Sequence, residues 1–229
     1  MTKFFVLITL LALPLSVWSH PHHDQSTLKM EILNLARTNT LSTKNRQEIR
    51  IELNKLTAAL TNGRPLVSEK QWVLFAPGPW KQIWSDERNN GPQDIQQNLN
   101  RVYQYVTPDG RAINLGERIM PDGSVVTFAL RAKGTVNGPL QTTEILSGYF
   151  MPAGMIEGES IEDLSLDILD ETYARFSPIQ VGEFPNGPVG AKSDLNILYL
   201  DDDLKVGTAP NVYTGESEMF VLERAETIR

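Results

Sequence analysis

The sequence predicts a mainly β chain, an antiparallel sandwich or barrel preceded by two amphipathic helices. Three observations carry this. Apolar residues recur at helical spacing only as far as Leu60; beyond Pro65 the spacing drops to two; and turn-forming tripeptides separate the two-residue runs. Strand and helix patterns do not alternate, which argues against a doubly wound fold. At 229 residues, with 41% apolar and 21% charged residues, the chain has the length and balance of one medium domain with appendages and a real core.

Residues 1–19 predict a secretory signal peptide. Lys3 supplies the positive start, Phe4 to Trp18 is almost wholly apolar, and Val17-Trp18-Ser19 fits a small-x-small cleavage site. The apolar run is shorter than the roughly 20 residues a membrane-spanning helix needs. The expectation is therefore export with cleavage after Ser19, into a bacterial periplasm or the medium. Residues 20–27 follow as a flexible, His-containing tail.

Two helices come next, over residues 26–38 and 43–60. Leu28, Ile32, Leu35 and Ala36 share one face, as do Ile49, Leu53, Leu56 and Leu60. Ser26 and Ser42 are candidate N-caps, and Asn62-Gly63-Arg64-Pro65 ends the second helix. Strands are then expected in Arg101–Thr107, Ser124–Ala132, Leu164–Asp170, around Leu195–Tyr199 and around Phe220–Leu222. Pro108-Asp109-Gly110, Pro121-Asp122-Gly123, Asn137-Gly138-Pro139 and Asn186-Gly187-Pro188 supply turns between them.

Composition excludes several chemistries. The formal charge is −7 and the isoelectric point near 5.1, so no basic face for nucleic acid is expected. With no cysteine, the chain has no disulfide, thiol catalysis or iron–sulfur ligation. All three histidines fall in His20-Pro21-His22-His23, outside the folded body, which removes a Ser-His-Asp triad or a three-histidine zinc site from it. The amine and imidazole of a His20 N-terminus, with His22 or His23, could hold copper or zinc weakly, but Pro21 lacks the amide nitrogen that a square-planar copper site would use; the folded body is expected to hold no metal, and no cofactor is expected. Asp201-Asp202-Asp203 lacks the spaced oxygens and turn glycine of a calcium loop. No dinucleotide fingerprint, P-loop or nucleophile elbow occurs. Trp72, Trp80, Trp84, Tyr103, Tyr105, Phe128, Tyr149, Phe150, Tyr199 and Phe220 are either core or, in a barrel of about eight strands, cavity lining.

The block Tyr199-Leu200-Asp201-Asp202-Asp203-Leu204-Lys205-Val206-Gly207, followed by Phe220-Val221-Leu222-Glu223-Arg224, resembles the end of the plastid lipid-associated protein (PAP/fibrillin) family. That family closes on Tyr-Leu-Asp-x-Asp-Leu-Arg-Ile and a Phe-Val-Leu strand. Trp80-Lys81-Gln82-Ile83-Trp84-Ser85 is similar to its first strand. Tyr103-Gln104-Tyr105-Val106 with Gly110 and Asn114 is similar to its next hairpin. Lys205 stands where the family has Arg, Thr208-Ala209-Pro210 replaces its Arg-Gly, and the N-terminus is not a plastid transit peptide. The chain thus reads as an exported, bacterial outlier with a PAP/fibrillin-like domain over 28–224, helices in 28–62 and barrel in 66–224.

The resemblance implies a lipocalin-like antiparallel β-barrel that binds or carries a hydrophobic small molecule, lipid or isoprenoid-like, without catalysis. The alternatives are a structural or protein-interaction barrel with a filled interior and a histidine-independent enzyme. An apolar pocket lined in part by Trp84, Tyr103, Tyr105, Phe128 and Tyr199 is expected. Asp201, Asp203 and Lys205 are expected to share one strand face as a structural motif. Peripheral membrane contact and oligomeric state stay open.

Overall fold

The computed structural model describes residues 24–39, 46–65, 67–86, 102–119, 123–158, 160–170, 177–178, 189–210 and 215–225. The signal segment and the three histidines lie outside the described residues, so export and cleavage stand as expectations; the flexible tail expected over 20–27 is corrected at its end, where Asp24 caps a helix and Gln25–Thr27 form its first turn.

Helix α1 spans Gln25–Thr38 and α2 spans Arg46–Leu60. The α1 N-cap is Asp24, whose carboxylate accepts from the Ser26 amide, so the cap lies two residues before the Ser26 suggested by sequence. Ser42 is outside the described residues. Helix α2 ends as predicted at Asn62-Gly63: the Gly63 amide donates to the Ala58 carbonyl and Asn62 to that of Ala59, with Asn62 at φ 51°. This is the paired-bond stop in which the left-handed position falls on Asn62 itself.

A third helix, α3 (Glu69–Phe75), has no counterpart among the expected elements, because the spacing beyond Pro65 predicts strands only. Its local signal is a capping box: Ser68 and Gln71 exchange side-chain and backbone bonds. Strands β1 (Gly78–Ser85), β2 (Val102–Val106), β3 (Arg111–Ile119), β4 (Val125–Asn137) and β5 (Leu140–Met151) follow. Helices α4 (Met155–Gly158) and α5 (Ile161–Leu169) come next, then β6 (Ser177–Pro178), β7 (Lys192–Leu200), β8 (Leu204–Pro210) and β9 (Ser217–Arg224).

The expected strand over Leu164–Asp170 is corrected by α5. Leu164, Leu166 and Ile168 do alternate, but the buried set is Ile161, Leu164, Ser165, Ile168 and Leu169. That is helical spacing, and Leu166 faces water at 46% exposure. Ser160 accepts from the Asp163 amide and starts the helix.

Hydrogen bonding runs β4-β3-β2-β1-β9-β8-β7-β5, and β4 also pairs with β5, so eight strands close into a ring; β6 adds to β5 from outside that circuit. Every pairing is antiparallel. Closure leaves few unpaired edges, and a ring of eight strands has an interior that side chains can fill or one small guest can occupy.

Register separates the two faces. Trp80 of β1 stands beside Gln104 of β2, which pairs with Asn114 of β3 and through it with Leu130 of β4. On the other side Gln82 pairs with Leu222, and Leu222 with Lys205. These residues point inward. Trp80, Val106, Ala112, Ala132, Ile197, Leu200 and Leu222 form one cluster drawn from strands around the ring. The outer face carries two others. Helices α1 and α2 cover Ile83, Leu204, Val206, Met219 and Val221. Helix α5 covers Ile113, Leu115, Ala129 and Met151.

Candidate functional site

One end of the ring is plugged. Helix α3 sets Trp72, Phe75 and Ala76 against Trp80, Val106 and Ala132. The Trp72 indole donates to the Gly138 carbonyl at 3.2 Å and the Trp80 indole to Ala76 at 2.9 Å. Arg224, at the end of the last strand, locks this plug. Its guanidinium carbon lies 3.9 Å from the Trp80 ring centroid. Its Nη2 donates to the Phe75 carbonyl, Nη1 to Pro77 and Nε to Asp202. Gly78 sits at φ 108°, and a Cβ there would meet Arg224 Nη1 at 2.9 Å, so glycine is what lets the guanidinium reach the chain before β1.

The other half of the interior is less filled. Phe128, Leu130, Phe150 and Phe220 point inward by register, yet each keeps part of its surface accessible. Three of them, Phe128, Phe150 and Phe220, lie near the strand ends away from α3, so this half of the ring is the less tightly covered one. Two of these rings lie against glycines on the neighbouring strand. A Cβ on Gly116 would meet Phe128 Cζ at 2.7 Å, and one on Gly207 would meet Phe220 Cζ at 2.6 Å. The glycines let each ring fold back along the wall instead of filling the axis.

Between the plug and this apolar half lies a polar layer. Lys205 is inward, 2% exposed, and reaches from β8 past β9 and β1 to β2. Its Nζ donates to Gln104 Oε1 and lies 4.8 Å from the Trp80 centroid. Gln104 Nε2 donates in turn to Asn114 Oδ1 at 3.0 Å. Lys205 makes no salt bridge among the described residues. Burial, with a smaller contribution from the Arg224 charge, pushes its ammonium down to about 7.

Four of the five residues expected to line the pocket do not face the interior. Trp84 and Tyr199 lie under α1 and α2 on the outer face. Tyr103 and Tyr105 lie under α5, where the Tyr105 hydroxyl donates to Glu162. Only Phe128 points inward. The reason is that period two identifies which residues share a face but not which face is inside; helices that cover the outer wall make both faces apolar. A bulge between Gln82 and Trp84 further moves Trp84 out of the register of Trp80.

The expected Asp201, Asp203 and Lys205 face is likewise corrected. Asp201–Asp203 is the turn joining β7 to β8, not strand, so strand alternation does not pass through it. Asp201 accepts from the amides of Asp203 and Leu204, from the Tyr199 hydroxyl at 2.8 Å and from Lys29 Nζ at 2.8 Å. Asp203 also accepts from Lys29, at 2.7 Å. Burial alone would raise the Asp201 carboxyl, but these bonds outweigh it and hold it below its usual value. The acids thus anchor α1, while Lys205 is inside the ring.

A pocket of about 230 Å³ lies on the outer side of the plug, among Glu69, Trp72, Val73, Thr107, Asp109 and Gln141. It is smaller than the roughly 300–1,000 Å³ of ordinary ligand pockets and lies on the far side of the plug from the apolar half. Among the described residues, no group of three His, Asp or Glu is placed to hold a metal ion, and no helix is long and apolar enough to cross a membrane.

No family model matches the chain, and no curated protein matches it. Among solved structures, a biogenic amine-binding protein (selenomethionine derivative) is similar, at a TM-score of 0.38 and 12% identity over 71% of this chain and 68% of that one. A likeness of that strength carries nothing about what this chain binds.

Proposed function

We propose that the protein binds or carries a hydrophobic small molecule in the unplugged half of its ring, without catalysing a reaction on it. The observation that carries the reading is the set of inward Phe128, Leu130, Phe150 and Phe220, which keep accessible surface inside a closed ring. An interior packed through to that end of the ring would bury them. The terminal block around Asp201 and the hairpin around Tyr103 support a PAP/fibrillin-like reading, which favours a lipid or isoprenoid-like guest. Export to a periplasm would place such a carrier between membranes.

The test is extraction of the protein purified from its own host into organic solvent, followed by mass spectrometry, with titration of the stripped protein by a fluorescent fatty probe. Stoichiometric recovery of one lipid class, and saturable quenching of tryptophan by the probe, are expected. An empty extract together with no saturable binding would return the chain to a structural or protein-interaction role.

A further inference from the structure

We propose that the guest carries a single negative charge, a carboxylate, which seats on the Lys205–Gln104–Asn114 layer while its apolar body lies along Phe128, Leu130, Phe150 and Phe220. This rests on the function proposed above and specifies its ligand. Lysine is among the side chains least often fully buried, and buried cations ordinarily have an anionic partner. Lys205 has none among the described residues; its only described hydrogen bond is to an uncharged amide, and its other neighbour is an indole face.

Its place in the ring matters as much as its isolation. Gln104 and Asn114 belong to the same cross-strand row and are only partly buried. The layer therefore forms the floor of the apolar half, where the head of an elongated guest would end. Charge count favours a carboxylate over a phosphate monoester. One ammonium neutralises one negative charge; a second would be left in an apolar wall. Arg224 does not supply the balance, because its guanidinium is engaged with the carbonyls of Phe75, Pro77 and Asp202 on the plug side.

A carboxylate beside Lys205 raises the pH at which the ammonium loses its proton, so binding near pH 8 should take up protons from the buffer. The groups packed around the ammonium are Trp80 on β1, Gln104 on β2 and Arg224 on β9; of these only Arg224 is charged, and it stays charged through this range.

The experiment is calorimetric titration of the stripped full-length chain with palmitate, hexadecanol and a lysophosphatidate, in two buffers of different ionisation enthalpy. Palmitate should bind about tenfold or more tightly than hexadecanol, with proton uptake that hexadecanol lacks, and more tightly than the lysophosphatidate. In Lys205→Met, palmitate and hexadecanol should come within about threefold of each other; Lys205→Arg, which keeps the charge, should retain the preference. Circular dichroism checks that both variants fold. Equal binding of palmitate and hexadecanol by the native chain overturns the carboxylate inference and leaves the hydrophobic pocket standing. Preference for the lysophosphatidate overturns the choice of carboxylate. If none of the three binds, the pocket reading itself fails.

Discussion

Lys205 should cost the fold stability. The unfolded lysine titrates near its ordinary value of 10.5 and the folded one near 7. Between those values the unfolded chain holds the extra proton, so stability should rise with pH across that window and be lowest below it. Replacing the ammonium by a thioether removes the penalty. Lys205→Met should stabilise the empty protein by about 1–4 kcal/mol and flatten the rise, as read from urea midpoints at pH 6, 8 and 10. Asp201 is the opposite case. Its carboxylate holds Lys29, Tyr199 and two amides, so Asp201→Ala should lose about 2–3 kcal/mol. That stability should also fade in the native chain as pH drops below the usual carboxylate range, because the folded carboxyl titrates below its unfolded value. From sequence both residues were visible as one acidic and basic block. What separated them, a three-residue turn that sends the acids to α1 and the lysine inward, depends on contacts more than 170 positions apart in sequence.

At the scale of elements, the readable features were those written in local period or cap. Helices α1 and α2, the Asn62-Gly63 stop and the strands around Tyr103, Phe128, Ile197 and Phe220 follow from spacing alone. Helix α5 resembles a strand in sequence because both place Leu164 and Ile168 on one side; buried Ile161, Ser165 and Leu169 and exposed Leu166 decide for the helix. Helix α3 is seven residues long, too short for a period to show. Two glycines give tests at this scale. Gly78→Ala would force an L-residue to φ 108° and push on Arg224, so it should destabilise the plug by about 1–3 kcal/mol, with a lowered melting temperature. Gly207→Ala would drive Phe220 off the wall. It should weaken binding of a fatty probe by about tenfold in a fluorescence titration and shift melting little if Phe220 swings into the open half.

For the whole molecule, fold class was legible but inside and outside were not. Each strand turns one face to the ring interior and the other to the outer wall, which the helices cover in part, and period two does not say which is which. The α1–α2 pair is bound to the outer wall by apolar contacts, by Lys29 at the β7–β8 turn, by Arg37 to Glu223 at 2.7 Å and by Arg50 to Asp86 at 2.7 Å. Loss of that pair uncovers Ile83, Trp84, Val206, Met219 and Val221 together, a large contiguous apolar patch. A chain beginning at Arg64 should therefore bind a dye for exposed apolar surface and self-associate in analytical ultracentrifugation, whereas the full chain should not.

The plug at the α3 end also fixes traffic. If the ring carries a guest as proposed, the end closed by α3 is barred to it, and entry and exit share the side away from that helix. Donor and acceptor then compete for a single doorway and cannot be engaged at once through the two ends of the ring. Under that proposal each release is completed before the next loading, and the rate of exchange is set at the rim, not at the floor.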